Sequence, residues 1–152
     1  MVYLTRRYRF SAAHRLHTEA LSAEENARVY GKCNNPLGHG HNYVLDVTVA
    51  GRVDPATGMV CDLGFLDGLV AREVLERFDE THLNLDTESF RERVPTSENI
   101  CMEIHSLLRP SIDGAGPGAD VRLDRIRLEE TTSNSIEYFG GRENDGPRRK
   151  VR

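Results

Sequence analysis

Two histidines separated by one glycine, His39 and His41, are the residues whose types and spacing point most directly to chemistry. They stand just before residues 43–49, a run rich in β-branched and aromatic side chains that is typical of a strand. Side chains two positions apart on a strand point to the same side, so the two imidazoles can converge while Gly40 leaves room between them. Because neutral imidazole is a common zinc ligand, the pattern indicates a metal site that needs a third ligand.

The best third ligand is His14, because it lies near the end of a predicted strand, residues 2–16, that we expect to neighbour the strand after His41. Three histidines with an open fourth position would form a catalytic rather than a structural zinc site. Such a zinc acidifies bound oxygen groups and takes the pKa of water to about 7. The histidines His17 and His105 are instead expected to be surface or hydrogen-bonded residues.

A cysteine in a polar turn, Cys33, is the most reactive thiol that the sequence indicates. It follows a lysine, and a nearby cation would favour its thiolate, which could act as a base or a nucleophile. His82 could orient that thiolate, helped by Asp79 from the same loop. The other two cysteines, Cys61 and Cys101, neighbour apolar residues at periodic spacing and are expected to be small core residues.

Two adjacent glutamates, Glu129 and Glu130, lie on a predicted strand, so one of them must face inward. We take Glu130 to be the inward one. A buried carboxylate needs a partner, and it could accept paired hydrogen bonds from a guanidine-like edge such as the 2-amino-4-oxo face of a pterin. The alternative, a solvated strand residue, stays open at this point.

Three helices are predicted from caps and apolar spacing. The first, residues 22–30, begins with the residue spacing of a capping box. A second helix begins after Asp62, a good N-cap, and runs to about Phe78 with a stripe of apolar residues at helical spacing. Thr96 is expected to cap a third helix, which Pro110 would close.

The order of elements along the chain indicates the fold class. Residues 121–128 alternate apolar and polar side chains up to position 123 and then change phase, which predicts a β-bulge. Residues 135–139 would form the last strand. Strands followed by helices and again by strands predict an α+β fold, an antiparallel sheet with two helices on one face. Its edge strands favour association unless other subunits cover them.

Composition excludes several classes of protein. At 152 residues the chain fits one domain, expected at 1–140, and the charged segment 141–152 is expected to be a solvated tail. The net charge of −4 argues against a nucleic-acid binder with a basic face. No apolar run approaches the roughly 20 residues of a membrane span, and the N-terminus lacks a signal peptide's apolar core. Three cysteines without a C-x-x-C motif favour a reduced, cytoplasmic protein.

Much of the chain closely resembles the 6-pyruvoyl-tetrahydropterin synthase family, in residues 10–16, 33–43, 54–60, 82–86, 96–99 and 130–131. The Cys-x5-His-Gly-His block is the most specific of these segments. The resemblance implies the tunnelling fold, a four-stranded antiparallel sheet with two helices on one face. It implies that monomers join into a barrel and that two trimeric rings stack as a hexamer with active sites at subunit interfaces. The implied activity is that of a zinc-dependent carbon–oxygen lyase that eliminates triphosphate from 7,8-dihydroneopterin triphosphate to give 6-pyruvoyl-tetrahydropterin.

The resemblance also assigns roles residue by residue. The residues that match the family's site are the zinc ligands His14, His39 and His41, the catalytic Cys33 and His82, and the pterin-binding Glu130, Thr96, Ser97 and Glu98. One position departs from the family's pattern, because Thr81 stands where an aspartate usually precedes the triad histidine. Asp79, two residues earlier, is the predicted replacement for that carboxylate.

Three other interpretations compete with this one. The sister enzyme 6-carboxy-tetrahydropterin synthase, of the queuosine pathway, uses the same fold, zinc and substrate. It typically has three residues between the cysteine and the His-x-His pair, where this chain has five. A cupin-type metal site would need an acidic residue after the pair, but Asp46 falls on the opposite face of a regular strand. A non-enzymatic module would bind zinc and pterin without turnover.

Overall fold

The computed structural model describes residues 1–116 and 120–141, and its strands form one sheet. Within those ranges the strand order is β3-β1-β2-β4-β5. The strands are β1 (Val2–His14), β2 (His39–Gly51), β3 (Thr81–His82), β4 (Arg122–Thr131) and β5 (Asn134–Tyr138). The predicted tail falls on residues outside the described part, except for Gly141.

The four long strands are antiparallel, as predicted, and a short parallel strand that was not predicted joins them. β1 and β2 pair along their whole length, from Val2 opposite Gly51 to His14 opposite His39. β3 adds a two-residue parallel pairing next to Ala12 in β1. Burial alternates along β1, which is the period of two that a half-buried strand requires, whereas β2 is buried at every position from Leu45 to Gly51.

The predicted phase change in β4 is a β-bulge. Thr48 lies opposite Arg125, whereas the next residue, Val49, lies opposite Leu123, so Asp124 is the extra residue. The bulge moves the following apolar side chains back to the buried face of the sheet. The apolar residues of β4, on both sides of the bulge, are buried in the core: Leu123, Ile126 and Leu128.

The helices that follow β2 cover that same face, and their buried apolar side chains join the core. In chain order the helices are α1 (Ala23–Tyr30), α2 (Leu63–Val70), α3 (Glu76–Phe78), α4 (Leu83–Asp86) and α5 (Ser97–Ile112), with a π-helical turn, Ala71–Leu75, joining α2 to α3. The predicted caps are confirmed, because the side chains of Asp62 and Thr96 accept hydrogen bonds from backbone N–H groups in the first turns of α2 and α5. No helix among the described residues is long and apolar enough to cross a membrane.

The prediction that Pro110 closes the last long helix is wrong. α5 continues to Ile112, and the N–H of Asp113 still donates to the carbonyl of Arg109. A proline removes one N–H and crowds the carbonyl four residues earlier, so near the end of a helix it perturbs only the last turn. The buried side chains of α5, among them Ile104 and Leu108, pack in one cluster with those of the sheet.

Candidate functional site

The structure brings the three predicted histidines together at one end of the sheet. His14 ends β1 directly opposite His39 at the start of β2, and His41 lies two residues further along β2 on the same side. One ring nitrogen of each lies within 4.8 Å of the others. The Nε2 atoms of His14 and His39 are 3.1 Å apart. Strand register therefore builds the cluster from two distant parts of the chain.

The hydrogen bond of His14 directs its free nitrogen toward the cluster. His14 is fully buried, and its Nδ1 lies 2.8 Å from the carbonyl oxygen of Pro95. Since a carbonyl only accepts, Nδ1 carries the proton and Nε2 presents its lone pair to the other two rings. Burial lowers the pKa of both His14 and His41, which favours the neutral imidazole that a metal ion requires. The donor set fits zinc.

One carboxylate borders the histidine cluster. Oε1 of Glu130 lies 3.8 Å from Nε2 of His14 and 3.6 Å from Nε2 of His41. Its Oε2 accepts a hydrogen bond of 3.0 Å from the side-chain amide of Asn134, across a register shift between β4 and β5. Glu129 instead pairs with Arg127. The inward orientation predicted for Glu130 is confirmed.

The thiol of Cys33 is half-buried in a short 3₁₀ turn, Gly31–Asn34, that follows α1. The turn is tied to the segment after β1, because the carbonyl of Cys33 accepts from the N–H of Leu16 at 2.8 Å. Burial, and next the charge of Glu130, raise the pKa of the thiol above its ordinary value. The preceding lysine does not outweigh these effects, so a thiolate here needs a further positive charge nearby.

His82 lies on β3, beside β1. Its backbone N–H donates to the carboxylate of Asp86 at 2.7 Å, while its Nδ1 is buried and has no partner among the described residues. The carboxylate of Asp79 accepts from the N–H of Ser11 at 2.9 Å. The contact found for Asp79 is therefore with β1, and its role beside His82 stays a prediction.

A glycine next to the site is more constrained than the one between the two histidines. Gly38 has a φ of +75°, and a Cβ there would lie 2.8 Å from Nε2 of His82 and 2.9 Å from the carbonyl oxygen of His14. At Gly40, the contact that a Cβ would make with the described residues beyond its chain neighbours is the carbonyl oxygen of Ala12, at an ordinary 3.7 Å. The space that the sequence suggested at Gly40 is thus required at Gly38 instead.

The predicted pterin-binding segment begins directly after the residue that holds His14. Thr96 caps α5 by accepting from the N–H of Asn99 at 3.2 Å. Ser97 is buried, and its hydroxyl oxygen has no hydrogen-bond partner among the described residues. Glu98 is exposed in the first turn of the helix. Whether these three side chains contact a pterin stays a prediction.

Sequence reasoning missed three residues that position the site. Pro95 acts through its backbone carbonyl, which no residue pattern reveals. Asn134 holds Glu130 across a hairpin, and nothing in its type or spacing indicated that contact. Tyr43 is fully buried with its hydroxyl 3.5 Å from Nδ1 of His14. The two-residue period of β2 could have placed Tyr43 on the face of His41.

Comparison with known proteins fits this geometry. A sequence model of the family "6-pyruvoyl tetrahydropterin synthase" matches residues 3–141. The chain belongs to that family. The 6-pyruvoyl tetrahydrobiopterin synthase of Poecilia reticulata is 42% identical over 138 residues, which cover 91% of this chain and 90% of the relative. A more distant relative, the 6-carboxy-5,6,7,8-tetrahydropterin synthase of Rickettsia felis, is 26% identical over 152 residues, covering 90% of this chain and 99% of the relative.

A solved structure of the Caenorhabditis elegans 6-pyruvoyl tetrahydropterin synthase shares the architecture of this family member. It aligns with a TM-score of 0.79 and 41% sequence identity, covering 91% of this chain and 95% of that one. The predicted α+β tunnelling fold is thereby confirmed. The cupin interpretation loses its acidic ligand, because Asp46 forms an ion pair with Arg7 at 2.8 Å on the side of the sheet away from the core.

Proposed function

We propose that this pterin synthase is a zinc-dependent enzyme that converts 7,8-dihydroneopterin triphosphate to 6-pyruvoyl-tetrahydropterin with loss of triphosphate. The observation that carries the proposal is the convergence of His14, His39 and His41 within 4.8 Å, with Glu130 beside them. Zinc is supported by the all-imidazole donor set and by the lowered pKa of the buried rings. The substrate is supported by the family and by its named relatives.

The residues of the chain divide the chemistry among them. When bound, zinc polarises the hydroxyl groups of the substrate side chain, which makes the neighbouring C–H bonds more acidic. Cys33 is proposed as the base that removes a carbon-bound proton, and His82 as the group that orients it and relays the proton. Positioned proton transfer of this kind contributes about 10²–10⁴-fold. Asp79 is proposed as the carboxylate that supports His82.

Recognition of the pterin ring is proposed for Glu130 and for the start of α5. The carboxylate of Glu130 would accept paired hydrogen bonds from the 2-amino group and the adjacent ring N–H, which are charge-assisted and directional. Thr96, Ser97 and Glu98 would line the same pocket. The hydroxyl of buried Ser97 has no partner among the described residues, which supports a polar ligand there.

Assembly into a hexamer of two trimeric rings, with the active sites between subunits, is part of the proposal. β3 covers only residues 12–13 of β1, so most of that long strand has a free hydrogen-bonding edge among the described residues. β5 presents the other edge of the sheet. Exposed edges of this length favour pairing with other chains. Mass measurement in solution tests it, and a monomer that is active would contradict it.

Two variants should distinguish a residue needed for turnover alone from a residue needed for metal binding as well. Cys33→Ala is expected to abolish product formation from dihydroneopterin triphosphate while zinc stays bound, because the thiol is a base and not a ligand. His39→Ala is expected to lose both zinc and activity. Cys61→Ala, which removes a buried thiol outside the site, is the matched control and should keep both. Wild-type turnover in Cys33→Ala would show that the base has been assigned wrongly.

The 6-carboxy reaction is the second candidate, since a family relative carries that name. It starts from the same substrate but releases acetaldehyde, which can be assayed directly in the same incubation. We favour the pyruvoyl product because a relative of 42% identity is a pyruvoyl enzyme and because five residues separate Cys33 from His39. Acetaldehyde equal to the substrate consumed would reverse this assignment.

A further inference from the structure

We propose that Glu130 is a fourth ligand of the metal in the substrate-free protein, and that it must leave the metal when a pterin binds. The inference rests on the proposed zinc site and deepens it. A carboxylate that occupies the open coordination position would keep the metal closed to other ligands until the correct ring is bound. Glu130 then links recognition of the pterin to exposure of the metal.

The first support is the spacing of the donor atoms. Zinc binds imidazole nitrogen and carboxylate oxygen at about 2.0–2.2 Å, which places tetrahedral ligands about 3.4 Å from one another. Oε1 of Glu130 lies 3.6 Å from Nε2 of His41 and 3.8 Å from Nε2 of His14. The Nε2 atoms of His14 and His39 are 3.1 Å apart. The carboxylate oxygen is thus already at the distance of a neighbouring ligand from two of the three rings.

The second support is the way the carboxylate is held. Only 15% of the Glu130 side chain is exposed, and its ion-pair partners among the described residues are His14 and His41. An imidazole that binds zinc does so in its neutral form, so these two rings bring no positive charge of their own as metal ligands. A carboxylate in such surroundings lacks a compensating positive charge, which is unfavourable unless a cation occupies the cluster. The Asn134 amide fixes Oε2, so that Oε1 is the oxygen left facing the histidines.

The third support is that the two roles of Glu130 exclude one another. Paired hydrogen bonds to a pterin edge require both carboxylate oxygens to face the ring, whereas Oε1 faces the histidines here. Binding of the pterin would therefore withdraw Oε1 from the metal and free a coordination position for the hydroxyl groups of the substrate side chain. By linkage, a pterin that draws Glu130 away without supplying a metal-binding group of its own must weaken metal binding, and the metal must weaken binding of that pterin equally.

The affinity for Zn²⁺ alone tests the inference without any turnover. Zinc dissociation constants of metal-free proteins are measured by competition with a chelator of known affinity. Glu130→Gln is expected to weaken zinc binding about 10–100-fold, the range found when groups that support metal ligands are removed. Asn134→Ala, a change at an exposed position that leaves the carboxylate in place, is expected to weaken it by a smaller factor. Glu129→Gln is the matched control on the same strand, and its affinity should equal that of the wild type.

A spectroscopic measurement identifies what occupies the fourth position. Co²⁺ replaces zinc, and its visible absorption is followed from pH 6 to pH 9 in a Cys33→Ala background, so that the thiol does not contribute. With Glu130 as ligand the spectrum should be independent of pH. In Glu130→Gln a metal-bound water should replace the carboxylate and add a transition near the pKa of about 7 that such water has.

The outcomes separate this inference from the proposed function. Absence of zinc binding to the wild type would contradict the proposed function itself. Normal zinc binding by the wild type, with an unchanged dissociation constant in folded Glu130→Gln and the same pH transition in both Co²⁺ proteins, would overturn only the fourth ligand. If Glu130→Gln does not fold, an unchanged affinity in Asn134→Ala and a pH transition in both Asn134→Ala and its parent would overturn the fourth ligand as well.

Discussion

Gly38→Ala is expected to damage both stability and turnover because two atoms of the site occupy the space of its side chain. A Cβ at this position would lie 2.8 Å from Nε2 of His82 and 2.9 Å from the carbonyl oxygen of His14. The carbonyl belongs to the last residue of β1, which is paired with His39, so it cannot retreat without moving a predicted zinc ligand. The methyl group must therefore displace the ring of His82, the β1 terminus or both.

The magnitude follows from two separate effects. A non-glycine residue in the left-handed region costs about 1–2 kcal/mol, which applies because φ of Gly38 is +75°. Overpacking adds about 1–3 kcal/mol, so the free energy of unfolding should fall by roughly 2–5 kcal/mol. A displacement of about 1 Å in a reacting group lowers turnover by about 100-fold. Gly58→Ala isolates the first effect, because Gly58 has a φ of +72° and a Cβ added there would have no atom within 4 Å from the described residues other than its chain neighbours.

The assay is a pair of measurements on both variants. Denaturant unfolding gives the loss of stability, and product formation from dihydroneopterin triphosphate gives kcat. We expect Gly58→Ala to lose about 1–2 kcal/mol with unchanged kcat, and Gly38→Ala to lose more stability and about 100-fold in kcat. Equal stability of the two variants, together with a kcat for Gly38→Ala within twofold of the wild type, would refute the packing of His82 against this glycine.

Three further outcomes are expected. Asn26→Ala should lower the free energy of unfolding by about 2–3 kcal/mol in denaturant titrations. The reason is that this buried amide forms four hydrogen bonds with residues 18–22. An unchanged midpoint of the unfolding curve would contradict this prediction. The metal-free protein should lose stability as the pH falls below about 6.5. The pKa of buried His14 is lowered in the folded protein, so the unfolded chain binds the proton first as the pH falls. Melting temperatures at pH 7.5 and 5.5 test this prediction, and equal melting temperatures would contradict it. Thr96→Ala should cost about 1 kcal/mol in unfolding experiments through loss of the α5 cap, whereas Thr96→Ser should keep most of it.

The elements that the sequence predicted best are those with strong local signals. Caps at Asp62 and Thr96 and the phase change near Asp124 were confirmed because short-range hydrogen bonding and side-chain alternation decide them. The helix end predicted at Pro110 was wrong because the effect of a proline depends on how close it lies to the end of the helix. The two-residue strand β3 carries no periodic signal of its own and forms only because β1 is there to pair with it.

The sequence by itself determined which of the candidate side chains share a face of the sheet. His39 and His41 share a face through the period of a strand, and the same alternation made one of two adjacent glutamates face inward. Those inferences need only neighbouring residues, so they survive without knowledge of the fold. The resemblance then supported His14 and Cys33 as their partners, and the structure places His14 beside the pair.

Only the tertiary structure decided how these groups are held. The register of β1 against β2 sets His14 opposite His39, and the carbonyl of Pro95, distant in sequence, fixes which nitrogen of His14 is free. A hairpin amide, Asn134, turns one oxygen of Glu130 toward the histidines. Such contacts join residues far apart in the chain and often involve backbone atoms. For that reason they cannot be predicted from residue type and spacing.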